Sequence, residues 1–387
     1  YYTTISKVTE ILQLRYVYII AQGVLLLIFT STSSIVLDTF FTKTSHLSYC
    51  VSLSIFFLLF CATIAVRNSF VVEVGIMKTY EKIYQVLSQA DDFVTGEVLG
   101  RDLGISRTAV WKAIQTLESK GLVIESVKNR GYRLLSGDLF LPDEIEQMTG
   151  IKVFFNEKSS STQLDAKAGI EKGDPAPALY LAPSQTAAKG RFSRQFFTPE
   201  TGGIYMSIHL HPELPFKQLP SYTLMAATSV VKAISRLTGI ETDIKWVNDI
   251  YLDGKKVAGI LTEAVSSIET GLITDVIIGM GINFHVTDFP EELQSKASSI
   301  FSEKPTITRN QLISEIWNIF FNIPKSELIK VYKEKSLVLD RQVTFVENDV
   351  TYKGIATDIT DTGQLIVQLE NGQEKILNSG EISLSSW

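Results

Sequence analysis

Residues 245–263 read KWVNDIYLDGKKVAGILTE. Two short apolar-rich runs, 250–252 and 257–261, flank Asp253 and Gly254, a dipeptide that closes two-residue hairpins. Such a hairpin carries Lys245, Asn248 and Asp249 close to Lys255 and Lys256. Lysines hold a carboxylate or phosphate, an asparagine orients it, and an aspartate binds Mg²⁺ or a ribose hydroxyl. Each of these residues alone suits an ordinary amphipathic hairpin with solvated charges. Only the whole string points to a site.

Working outward, residues 185–203 read QTAAKGRFSRQFFTPETGG. Lys189, Arg191 and Arg194 stand there among small residues, the composition of a mobile loop able to fold over a phosphate or an adenylate. A solvated basic loop is the plain alternative. A buried-strand run at 178–183 feeds this loop, and a strand at 152–156 leads into SSSTQLDAKAG. Ser161, Thr162 and Gln163 there begin a helix and offer hydroxyls and free amide N–H groups to a polar head group; alone, such a cluster is a helix cap. Residues 203–209 alternate as a strand, and 219–237 form an apolar-faced helix. Residues 275–284, DVIIGMGINF, read as a buried strand in which Gly281 admits a ring or nucleotide against the backbone. Helices follow at 310–321 and 327–336, separated by Pro324.

These strings together resemble the biotin–protein ligases. The family's central pattern, KWPNDIY…GKK(L/V)AGIL(V/T)E, is followed here with Val247 in place of the usual Pro. Its STN segment is matched by Ser161, Thr162 and Gln163. Its loop pattern, Q-x-A-G-R-G-R-x-G-R-x-W, is matched by Gln185, Ala187, Gly190, Arg191 and Arg194, and its GxGIN element by 279–283. The departures are Gln163 for Asn, Ala188 for Gly, Lys189 for Arg, Ser193 for Gly and Phe196 for Trp. Lys189 keeps the charge but not the planar fork, and two lost glycines stiffen the loop. These changes bear on retention of a reactive intermediate more than on chemistry.

The resemblance implies a two-step reaction. Biotin's carboxylate attacks the α-phosphate of ATP to give biotinyl-5′-AMP and pyrophosphate. A lysine amine of a biotin carboxyl carrier domain then attacks the mixed anhydride. Lys256, Arg191 and Arg194 become the catalytic candidates. Ser161, Thr162, Gln163, Gln185, Lys189, Gly190, Arg191, Lys256, Gly259 and Gly281 become the biotin site. Lys189, Arg191, Arg194, Asn248, Asp249 and Asn283 become the ATP site, with Asp249 the Mg²⁺ ligand. A lipoate-type ligase sharing the catalytic fold is one competing reading. An adenylate- or metabolite-sensing repressor with weak or lost ligase activity is another.

Ahead of this region, a helix at 80–89 is followed by one capped by Thr95, a turn at Gly104 and Ile105, and a third helix at 107–119 capped by Ser106. Ala109, Val110, Ala113, Ile114 and Leu117 give the third helix a packing face. Residues 122–126 and 131–135 alternate around Lys128, Asn129 and Arg130, as the strands of a wing do. Between Arg101 and Arg133 there are seven basic and three acidic residues, a net of +4 in a chain of formal charge -6. This is helix-turn-helix spacing with a basic face. Arg107 and Lys112, with Thr108 beside them, are the groove contacts, and Lys128 and Arg130 the phosphate contacts; a protein-binding winged helix is the alternative. The layout is that of bifunctional ligase–repressors. It implies a palindromic operator, biotinyl-5′-AMP as corepressor, and a homodimer in the adenylate-bound state.

The expected architecture is multidomain α+β. A winged helix-turn-helix occupies 77–137, an α/β biotin/lipoate-ligase-like domain on a mixed sheet 138–336, and an SH3-like barrel 337–387, where short strands alternate with turns at 361–363 and 371–372. The overall negative charge argues against general polyanion binding. The two cysteines, Cys50 and Cys61, precede all of this, which suits a reducing cytoplasm. His209 and His211 alternate along a strand with no third ligand beside them in sequence, so a structural role is expected rather than a metal site.

Residues 1–76 differ in kind, with seven charged residues and no proline. The stretches 16–37 and 47–66 carry no charge and are long enough to span a bilayer. The first residue is Tyr1, whereas Met77 opens MKTYEKIYQVL. Upstream read-through is the expectation for 1–76. A two-helix membrane hairpin is the alternative, the only case in which a membrane becomes a partner.

Overall fold

The sequence-predicted caps form at the front of the winged helix. The computed structural model describes residues 77–378 and 382–384; both readings of 1–76 lie outside them. Helix α1 spans Thr79–Gln89, α2 Gly96–Leu103 and α3 Arg107–Ser119. Thr95 Oγ1 accepts from Val98 N and Ser106 Oγ from Ala109 N, both at 3.2 Å. Val110, Ala113, Ile114 and Leu117 are buried against Ile83, Leu87 and Leu99 in a core separate from that of the rest of the chain. Each of the Val, Ile and Leu side chains contributes about 1.5–3 kcal/mol by leaving water. Strands β1 (Val123–Val127) and β2 (Gly131–Ser136) pair antiparallel as the wing, with Asn129 left-handed at its tip.

Residues 139–141 do not join the following helix, which is α4, Pro142–Thr149. They run extended because Asn310 captures them: its Nδ2 donates to Leu139 O at 3.0 Å, and its Oδ1 accepts from Leu141 N at 3.3 Å. Beside it, Arg309 is buried. Its guanidinium donates to Asp138 Oδ1 (2.5 Å), Asp138 O (3.0 Å) and Gly203 O (3.1 Å). The linker after the wing is thereby fastened to the residue where the basic loop ends.

The central sheet is mixed. It contains β3 (Lys152–Phe155), β4 (Ala178–Ala182), β5 (Gly203–Leu210), β6 (Asp243–Lys245), β7 (Asp249–Leu252), β8 (Lys255–Ser266) and β9 (Ile273–Asn283), in the order β3-β4-β5-β9-β8-β7-β6. Only β3 and β4 are parallel. Helix α5 (Thr162–Lys172) packs on β4, β5 and β9, while α6 (Tyr222–Thr238) packs on β6 to β9 and against the helix Arg309–Asn322. Every residue of β5 is consequently buried, although its sequence alternates; helices on both faces remove the solvated side that alternation normally serves. The predicted hairpin forms at Asp253 and Gly254, both at positive φ. The Trp246–Val247 peptide is cis.

The chain continues through a short α7 (Glu291–Gln294), then α8 (Arg309–Asn322) and α9 (Lys325–Glu334). Five antiparallel strands follow: β10 (Gln342–Glu347), β11 (Val350–Ile359), β12 (Leu365–Leu369), β13 (Glu374–Leu377) and β14 (Ile382–Leu384). This small domain leans on the central one through a turn. Trp246 Nε1 donates to Gly363 O at 2.9 Å and Ser221 Oγ to Thr362 O at 2.7 Å.

One expectation is corrected by the tertiary structure. His209 and His211 do have a third donor group beside them, because β9 brings Asp275 within 2.9 Å of both rings.

Candidate functional site

A cavity of about 240 Å³ lies where the start of α5, the 185–203 loop, the β7–β8 hairpin and the middle of β9 converge. Its polar end is built from α5. Thr162 N donates to Gln185 Oε1 at 2.7 Å, and Thr162 Oγ1 lies 2.8 Å from Ser207 Oγ on β5. Ser161 is buried at the same helix start. Gln163 lies against Gly279, where a Cβ would come within 3.1 Å of its amide carbon. Its Nε2 donates to Glu263 Oε2 at 3.0 Å, while its Oε1 is buried with no partner. Lys167 Nζ sits 3.1 Å from that Glu263 oxygen and balances its charge.

The charged end is built from the hairpin. Lys256 Nζ is 2.7 Å from Asp249 Oδ1. Asn248 Nδ2 donates to Asp249 Oδ1 at 3.0 Å and to Ile260 O at 2.9 Å, and Asn248 Oδ1 accepts from Arg191 Nη1 at 3.1 Å. One asparagine thus ties the hairpin carboxylate to the basic loop. The backbone of Lys256 is held on its far side by Lys296 O and Ser298 N. Burial, with the Asp249 charge adding to it, pushes the neighbouring Tyr251 hydroxyl up to about 12, so it stays protonated.

Between the two ends, the glycines leave space for a ring. A Cβ on Gly281 would meet Phe196 Cε1 at 2.3 Å, and one on Gly259 would meet Phe196 Cε2 at 3.5 Å. The ring that uses this space is the chain's own. Lys256 Nζ lies 5.9 Å from its centroid, a cation–π approach.

Of the sequence-predicted residues, Lys189, Gly190, Arg191 and Arg194 from the loop line this cavity together with those already named. Asn283 does not. It is buried at the end of β9, and its Nδ2 donates to Ser298 O at 3.0 Å, because the segment after β9 folds back past it and captures the amide. Ser207, Glu263 and Phe196 belong to the site but were not among its predicted residues. Phe196 carried a signal as the aromatic position closing the loop pattern, and Glu263 as the last residue of the hairpin pattern; Ser207 carried none.

On the winged helix, Arg107, Thr108, Lys112 and Gln115 are exposed, as are Lys128 and Arg130. Arg130 stacks on Phe93 at 4.3 Å and reaches Asp92 at 3.3 Å. Trp111, which the sequence reading left aside, is 54% exposed between Arg107 and Gln115 on the same face of α3. A large aromatic exposed among basic and polar side chains offers apolar contact to a base edge or sugar.

Comparison with known proteins agrees with this division. Residues 80–133 match the family described as HTH domain, 158–283 the Biotin/lipoate A/B protein ligase family, and 338–385 the Biotin protein ligase C terminal domain. The bifunctional ligase/repressor BirA of Bacillus subtilis is 34% identical over 314 residues, covering 77% of this chain and 96% of that protein. The chain belongs to the bifunctional biotin–protein ligase and repressor family. The Escherichia coli bifunctional ligase/repressor BirA is 28% identical over 308 residues, covering 76% of this chain and 94% of its own length. A biotin protein ligase from Aquifex aeolicus in complex with biotin and ATP is 26% identical, with a TM-score of 0.51, over 60% of this chain and 97% of that one.

Set in this ligase–repressor family, the departures in the loop acquire a geometry. Ser193 sits at φ +57°, next to Phe192 at +56°, a left-handed backbone that glycine adopts without cost and serine does not. Ala188 is buried on the cavity wall. Val247, where the family usually has Pro, has its carbonyl held by Tyr332 Oη at 2.9 Å.

Proposed function

We propose that this cavity adenylates biotin with ATP and passes the biotinyl group to a lysine of a carboxyl carrier domain, and that the winged helix couples the adenylate to operator DNA. The observation that carries the reading is the pairing of a buried, unsatisfied amide oxygen at one end of the cavity with a cluster of cations at the other. Gln163 Oε1 is an acceptor without a donor, suited to a ureido N–H. Lys256, Arg191 and the remaining loop cations face the place where a carboxylate and phosphates would meet.

In the first step, a biotin carboxylate oxygen bonds to the α-phosphorus and pyrophosphate leaves. Two anions are forced together, and the cost is electrostatic. Lys256, aimed by Asp249, neutralises the carboxylate and the equatorial phosphate oxygens, while Lys189, Arg191 and Arg194 close over the phosphates. Asp249 is the residue that would hold Mg²⁺; one carboxylate beside a phosphate site fits that ion, which keeps most of its waters. In the second step, the acceptor amine bonds to the acyl carbon, AMP leaves, and the amine gives up a proton. Lys256 again stabilises the charge on the departing phosphate.

On the DNA side, a single winged helix reads few base pairs, so a two-fold operator and an adenylate-favoured homodimer follow. A cytoplasmic location accords with the absence of cysteine after Cys61. No helix among the described residues is long and apolar enough to cross a membrane.

The test is pyrophosphate release and acceptor labelling with biotin, run in parallel with lipoate. Biotin-dependent turnover is expected. Lipoate turnover in its place would make the protein a lipoate-type ligase, and adenylate-responsive operator binding without turnover would make it a sensor.

A further inference from the structure

The cluster at the far end of β5 is independent of the cavity. Ser207, whose hydroxyl backs the cavity-lining Thr162, is two residues before His209, and the strand then leads away to His211. His209 pairs with Ile277 and Leu210 with Val276, so the next positions along the two strands are His211 and Asp275. All three side chains share one face. His209 Nε2 lies 2.8 Å and His211 Nδ1 2.9 Å from the same oxygen, Asp275 Oδ1. These three ligand atoms lie within 4.8 Å of one another. His209 and Asp275 are buried, while His211 is partly open to solvent.

We propose that His209, His211 and Asp275 form a binding site for a borderline divalent transition cation, with zinc the first choice. Two imidazole nitrogens and one carboxylate are a ligand set such ions favour. Bonds of about 2.0–2.1 Å place tetrahedral ligand atoms about 3.3 Å apart. The two contacts on Asp275 therefore open by a few tenths of an ångström, within the reach of side-chain rotation.

A second feature fits the same chemistry. Glu213 Oε1 stands 3.6 Å from His211 Nε2. A histidine that binds metal through one nitrogen commonly donates its other N–H to a carboxylate, which fixes the ring. With Nδ1 on the cation, His211 has that partner in place. His209 lacks one: its Nδ1 is buried and unpartnered, and a proton displaced there finds no acceptor. This weakens the site, and micromolar affinity is expected. Three protein ligands leave the fourth position to water.

The cation would be structural. Just beyond the cluster, Leu214 and Ile273 exchange backbone hydrogen bonds of 2.8 and 3.2 Å. A bound ion would lock this crossing to the two central strands.

The test is titration of the chelator-stripped full chain with Zn(II) and Co(II), without nucleotide. The parent is expected to take up one more equivalent of either cation than His211→Ala, with Co(II) giving visible d–d absorption of low-symmetry N/O coordination. Cys50, Cys61, His46 and His285 supply a background that the variant keeps. Glu213→Gln should retain the equivalent but bind about tenfold more weakly. Because His211 is partly exposed, its replacement leaves the core packed. Equal stoichiometry and identical Co(II) spectra for parent and His211→Ala would overturn the site and leave the cluster a hydrogen-bonded His–Asp–His bridge.

Discussion

Replacing Lys256 with Ala isolates the electrostatic part of the adenylation chemistry. In the structure its ammonium is 2.7 Å from Asp249 and 30% exposed, against 25% for that carboxylate. At that distance and an effective dielectric of 20, two unit charges attract by about 6 kcal/mol. Solvent at a part-exposed pair cuts the net contribution to folding to about 1 kcal/mol or less. Asp249 also keeps its hydrogen bond from Asn248, so no orphaned carboxylate is left behind. The fold should therefore lose little stability. In the transition state the same ammonium faces charge on the carboxylate and the α-phosphate within a cavity that sheds water on closing. Loss of one such preorganised donor costs about 2.7–4 kcal/mol, or roughly a hundred- to a thousandfold in rate. Single-turnover pyrophosphate release measures this, with thermal unfolding as the control. Lys255→Ala is the matched comparison: its ammonium donates to Gln294 O, outside the cavity, at 2.9 Å, and its removal should leave the rate within about twofold. A Lys256→Ala protein releasing pyrophosphate within tenfold of the parent would refute the role assigned to this lysine.

Restoring glycine at Ala188 and Ser193 should change the rate at which biotinyl-5′-AMP escapes without abolishing its synthesis, since relief at φ +57° alters loop motion before chemistry; release rates equal to the parent's would mark those positions as neutral. Alanine at both Arg107 and Lys112 should weaken operator binding by about 1–3 kcal/mol per true base contact and erode sequence preference, with ligase turnover unchanged. Alanine at Lys128 and Arg130 should weaken binding to all sequences and lower the salt slope by nearly one per lost phosphate contact; band shifts across a salt series separate the two pairs. Arg309→Ala strips the guanidinium from Asp138 Oδ1 and Gly203 O, leaving Asp138 only the backbone N–H of residue 309, and should cost about 3–5 kcal/mol of stability, read by denaturant unfolding.

Much of this protein was legible in local sequence because the deciding interactions are local. Thr95 and Ser106 cap helices through amides three residues on, and Asp253–Gly254 closes its hairpin by left-handed backbone preference. The cations of the 185–203 loop and Lys256 stood in strings specific enough to name a family and a cavity. Other features depended on chain crossings that no window of sequence contains. Phe196 fills the space above Gly281, 85 positions on, only because the loop folds over β9. Asn283, two residues past that glycine, leaves the cavity because a later segment supplies a carbonyl for its amide. Asp275 joins His209 and His211 because antiparallel pairing of β5 with β9 sets its register. Arg309 connects the wing's linker to Gly203 from more than a hundred residues away. Backbone propensity acts over a few residues and needs no partner. Burial, amide satisfaction and ligand convergence exist only once distant strands have been brought to within a few ångströms.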